Sequence, residues 1–115
     1  MINGFEKETH ELTNYEMTLV PIIVKGFIGK HGSSAAVKNK TIVTALKAMG
    51  EKVTEPRIRK IIHHIRVKHL VTNLISTNKG TYRAESKEEL IKYVESLQQR
   101  INSIEEIKKS FNINQ

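Results

Sequence analysis

The chain has 115 residues, the size of one domain around a single hydrophobic core, with a formal net charge of +7. Hydrophobic residues make up 38% and charged ones 27%, a globular balance, while aromatics at 5% leave a core that has to be aliphatic. Cysteine and aspartate are both absent, which excludes disulfides, thiolate metal sites and cysteine nucleophiles and leaves glutamate as the sole acidic side chain. The N-terminal stretch lacks the basic start and apolar run of a secretory signal, and no apolar run approaches membrane-spanning length, so a basic cytoplasmic protein is expected.

Residues 1–12 carry polar groups with little periodicity and are expected as a flexible tail. Thr13-Asn14-Tyr15-Glu16 reads as a capping box, in which the threonine hydroxyl and the glutamate carboxylate satisfy each other's free backbone donors. A helix is predicted over residues 14–30, bent at Pro21, whose ring removes a donor and crowds the preceding turn. Its apolar residues, Leu19, Val20, Ile22, Ile23, Val24, Phe27 and Ile28, exceed one narrow stripe, which places it at the centre of the core. After Gly32, Ala35-Ala36-Val37 is a short extended candidate. Asn39 is the predicted cap of a second helix over residues 40–49, which Gly50 stops.

A third helix is predicted from Thr54, with Pro56 in the first turn, where proline costs least. Ile58, Ile61, Ile62, Ile65 and His69 fall on one side of it. Arg59, Lys60, His63 and Val67 fall opposite, with Arg57, His64 and Arg66 on the flanks. Residues 74–76 and 81–84 flank Thr77-Asn78-Lys79-Gly80 as a hairpin. Ser86-Lys87-Glu88-Glu89 is a second capping box and opens a helix to about residue 110, roughly 36 Å long at 1.5 Å per residue.

Eight of the nineteen lysines and arginines lie between Glu51 and Arg83, against two glutamates. A cationic helix followed by a cationic hairpin suits a polyanion, nucleic acid foremost. Signs of catalysis are missing: there is no glycine-rich phosphate loop, no Ser-His-Asp set and no His-Glu-x-x-His spacing. The adjacent His63 and His64 point about 100° apart on a helix and cannot both ligate one ion unaided. No enzymatic activity, cofactor or metal is expected.

The order helix, short strand, helix, turn, helix, hairpin resembles a winged helix-turn-helix domain. The strings Arg57-Ile58-Arg59-Lys60-Ile61-Ile62-His63-His64-Ile65-Arg66 and Asn78-Lys79-Gly80-Thr81-Tyr82 are similar to small winged-helix proteins of bacterial phages and prophages, as is the run from Glu89 to Ile101. The resemblance implies a mainly α fold with a small β-hairpin wing: a winged helix-turn-helix domain over residues 13–85 and a long extra C-terminal helix over residues 86–115. It also implies that residues 55–69 enter the major groove of double-stranded DNA while the wing, residues 74–84, touches the backbone or minor groove. Arg57 and Arg59 are then expected to read guanine edges, which arginine clamps with two hydrogen bonds. Lys60, Lys79 and Arg83 would hold phosphates, with His63 facing the backbone and Arg66 at the flank. A regulatory or replication-linked DNA-binding protein of phage or mobile-element type is the expected function. Because some winged-helix domains bind proteins, a structural or adaptor protein is the alternative.

Along the last helix Leu90, Val94, Leu97, Ile101 and Ile104 alternate steps of four and three, and Lys108 holds the seam position before Phe111. This stripe can pack along the first helix or on a second copy. The predicted first helix is only about 26 Å long, so the far end is expected to overhang it. A homodimer through Leu97, Ile101, Ile104 and Phe111 follows, with two basic helices for paired half-sites.

Overall fold

The computed structural model describes residues 11–111 and residue 113; the tail expected over residues 1–12 lies almost wholly outside them. In chain order the elements are α1 (Asn14–Phe27), a 3-10 turn (Ser33–Ala35), α2 (Asn39–Ala48), α3 (Glu55–Val67), β1 (Leu74–Thr77), β2 (Gly80–Arg83) and α4 (Lys87–Ser110). Among the described residues the fold is thus mainly helical with one two-stranded antiparallel hairpin. The chain divides into one compact unit up to Ala84 and a second from Glu85 onward.

In the first unit, α1 opens on a complete capping box: the Glu16 N–H donates to Thr13 Oγ1 at 3.0 Å, and the Thr13 N–H donates to Glu16 Oε1 at 2.8 Å. The helix continues through Pro21, which is exposed. The carbonyl deprived of its helical partner belongs to Met17, also exposed, where water can satisfy it. It stops at Phe27 rather than residue 30, with Gly26 and Gly29 weakening the last turn. Leu19, Val20, Ile23 and Phe27 are buried, whereas Ile22 and Ile28, expected in the core, are exposed.

Asn39 begins α2 rather than capping it. Lys38 occupies the cap position and supplies no side-chain bond. The helix ends in a left-handed turn at Gly50, φ 86°, with Gly50 N–H donating to the Lys47 carbonyl and Glu51 N–H to that of Leu46. The same motif ends α3, with His69 at φ 56° in the place glycine usually takes, and Leu70 N–H donating to the Ile65 carbonyl at 3.0 Å. His69 therefore lies past the helix and is exposed, which corrects its placement on the apolar face.

α3 packs on both α1 and α2. Ile58, Ile61 and Ile65 are fully buried and Ile62 nearly so, joined by Ile42, Leu46, Val71 and Leu74. At about 1.5–3 kcal/mol for each such side chain, the isoleucine face holds α3 firmly in this core.

β1 and β2 pair from Leu74↔Arg83 to Thr77↔Gly80, leaving Asn78-Lys79 as a two-residue loop. Positive φ falls on Gly80, at 125°, and not on the loop residues. A Cβ there would meet the Val37 carbonyl oxygen at 2.6 Å. Val37 lies that close because it pairs with Thr81 through two backbone hydrogen bonds of 2.9 Å, so the chain before α2 runs along β2. The extended run expected over residues 35–37 shrinks to this one residue.

In the second unit, α4 is capped by Ser86, whose Oγ accepts from Glu89 N–H at 3.1 Å. The Glu89 carboxylate returns to Glu85 N–H at 2.7 Å rather than to Ser86, a displaced form of the predicted box. Among the described residues no helix is long and apolar enough to cross a membrane.

Candidate functional site

Burial of Ile58, Ile61 and Ile65 turns the other side of α3 outward, and the 3.6-residue period puts Glu55, Arg59, His63 and Arg66 together on it. This face forms one wall of a groove of about 610 Å³. Lys38, Asn39 and Lys40, at the start of α2, form a second wall, and Ser76, Thr77, Asn78, Gly80 and Thr81 of the hairpin form the third. The Val37–Thr81 pairing draws the α2 start and the hairpin together. Lys38, Lys40, Arg59 and Arg66 line the groove against a single carboxylate, Glu55, and His63 adds a fifth basic group. Charges of one sign gathered in a concave surface raise the local potential and attract anions.

The first turn of α2 adds to this. Among the described residues no side chain caps it, and the positive end of the helix dipole lies beside Lys38 and Lys40. Lysines there are unfavourable for the isolated helix. Lysines set against the helix dipole are a sequence signal for their place in the groove, and they lie outside the Glu51–Arg83 cluster.

Of the predicted DNA-binding residues, Arg59, His63 and Arg66 line the groove. Lys79 is exposed on the hairpin loop and Lys60 is half-buried on the flank of α3, both outside the lining. Arg57 and Arg83 lie outside the lining and are held by partners within the fold. Arg57 donates from Nε to Glu16 Oε2 and from Nη2 to Glu16 Oε1, each at 2.6 Å, and from Nη2 to the Glu11 carbonyl at 3.2 Å. Arg83 donates from Nη1 to the Ile28 carbonyl at 2.8 Å and from Nη2 to Thr72 Oγ1 at 3.2 Å. Arg57 and Arg83, expected to read bases and to hold phosphate, thus each have a structural role in the fold. The Arg57 guanidinium holds the Glu16 carboxyl below the usual glutamate range against the opposing effect of burial, with Thr13 assisting. On the other side of α1, Tyr15 donates to Glu51 Oε1 at 2.6 Å and accepts from Lys52 N–H, tying α1 to the turn before α3.

A second groove, of about 280 Å³, runs between α1 and α2 and is apolar, lined by Ile22, Phe27, Val37, Leu46 and Met49 among others. On α4, Leu97 is half-buried while Ile101 and Ile104 are exposed; Phe111, expected on the same helix face, is exposed but lies just past the helix, as its C-cap with extended backbone. Among the described residues no three histidines or glutamates gather as metal ligands would. Comparison with protein-family models, curated proteins and solved structures finds no match to the chain.

Proposed function

We propose that the chain is a winged helix-turn-helix protein that binds double-stranded DNA, in a regulatory or replication-linked role of phage or mobile-element type. In this reading α2 and α3 form the helix-turn-helix and the β1–β2 hairpin is the wing. The observation that carries it is the groove in which cations of two helices converge beside the hairpin, opposite the isoleucine core. A major groove about 12 Å wide admits one α-helix, and the outward face of α3 carries the groups suited to it. Arg59, near the middle of that face, is the candidate for guanine O6 and N7. Lys38, Lys40 and Arg66 hold phosphates around it, and Lys79 reaches the backbone from the wing.

The test is a gel shift on random duplex at low salt, comparing wild type with an Arg59→Glu, Lys40→Glu double variant. Both side chains are exposed, so the fold is retained. Wild type shifts the duplex, and the variant binds at least roughly a hundredfold more weakly. Absence of any shift by wild type would overturn the reading. It would favour the adaptor alternative, whose own support is the apolar groove between α1 and α2.

A further inference from the structure

No residue of α4 lines the groove proposed for nucleic acid, and the composition of its apolar stripe is specific. Written as heptads, Val94, Ile101 and Lys108 occupy the a positions, and Leu90, Leu97 and Ile104 the d positions; Phe111 keeps the d spacing but is the extended C-cap just past the helix. Val94, Ile101, Ile104 and Phe111 are 55%, 53%, 64% and 68% exposed, a large outlay of apolar surface for a helix otherwise rich in charge. β-Branched Val94 and Ile101 at a with Leu90 and Leu97 at d favour two parallel strands; Ile104 at d beside Ile101 leans towards larger bundles, which the lone Lys108 at a disfavours because they would enclose it.

The flanking charges select the occupant. In a parallel, in-register pair, each g position faces the e position five residues further along the partner helix. Arg100 is a g residue and Glu105 is the e residue five further on, so two-fold symmetry sets two Arg–Glu pairs across the seam. The preceding g–e combination is Tyr93 with Gln98, so no like charges meet. Within its own chain, among the described residues, neither the Arg100 nor the Glu105 side chain has an ion-pair or hydrogen-bond partner. An antiparallel pair sets g against g and e against e, and there these two residues no longer face each other.

We propose that residues 90–110 form a parallel, in-register two-stranded coiled coil with the same segment of a second copy of this chain. Leu97, Ile101 and Ile104 form its core, with Phe111 packing at its end, and Arg100–Glu105 pairs specify its register. This pairing holds whether or not the protein binds DNA. Three heptads, about 32 Å of helix, are near the lower limit for such a coil, so the dimer exchanges with monomer.

Sedimentation of the full chain tests it. Wild type is dimeric at tens of micromolar, and Ile101→Glu is monomeric with its helicity otherwise retained. Arg100→Glu, which turns both pairs repulsive, associates roughly tenfold more weakly, and adding Glu105→Arg restores the wild-type constant. Orientation is read by cross-linking, because the chain has no cysteine of its own. Leu90→Cys and Ile104→Cys, each a single variant, both oxidise to covalent dimers, since a parallel coil sets equivalent d residues side by side. A wild type that stays monomeric, a charge reversal without effect, a swap that fails to restore association, or either cysteine variant failing to cross-link overturns the proposal.

Discussion

Arg57 grips both oxygens of Glu16 and so ties the first turn of α3 to the first turn of α1. With the Glu16 side chain 7% exposed and that of Arg57 29%, the pair is shielded enough for its loss to be felt, though partial exposure moderates it. Arg57→Ala is expected to lower stability by about 2 kcal/mol in urea unfolding, because it leaves a shielded carboxylate without its charged donor. DNA affinity should change far less than with Arg59→Glu. The pH dependence follows from the same pair. The carboxyl of Glu16 is held below its unfolded value, so its stabilising contribution is complete above the ordinary glutamate range and is lost as the pH falls through the lower folded-state value. Glu16→Gln should therefore lose less stability than wild type over that acid interval, measured by thermal unfolding at a series of pH values.

At the scale of elements, the hairpin shows how a local turn depends on a distant segment. The loop could be anticipated from Thr77-Asn78-Lys79-Gly80, but the reason Gly80 must be glycine lies in Val37, whose carbonyl occupies the space a Cβ would need. Gly80→Ala combines that clash with a positive φ and should cost about 3 kcal/mol, lowering the Tm by roughly 10 °C or more in calorimetry. α3 was legible from its sequence over nearly its whole length, because burying four isoleucines at helical spacing leaves only one orientation for the charged residues between them. Its end was not, since His69 takes a left-handed cap usually reserved for glycine, and periodicity carries no record of φ. The start of α2 was misread by one residue for a related reason: Asn39 has the chemistry of a cap, yet Lys38 holds the cap conformation.

For the whole molecule, the proposed contact with DNA involves Lys38, Lys40, Arg59, Arg66 and Lys79. If each neutralises one phosphate, log K should fall against log salt with a slope of about −4.5 for duplex DNA, measurable by fluorescence anisotropy. A slope near zero would exclude an interface built on these five groups. The amino-acid sequence by itself determined the helices, the hairpin, the isoleucine face and the heptads of α4, because each of these is written in spacings of a few residues. It also determined that the positive charge concentrates around α3. Only the tertiary structure decided which cations line the groove. Arg57 is engaged by Glu16, 41 positions away, and Arg83 by the Ile28 carbonyl, 55 positions away, as well as by nearby Thr72. Lys38 and Lys40 come from outside the cluster because the Val37–Thr81 pairing brings the start of α2 to the hairpin. Such neighbours are set by packing of the core, which joins segments that no local periodicity connects.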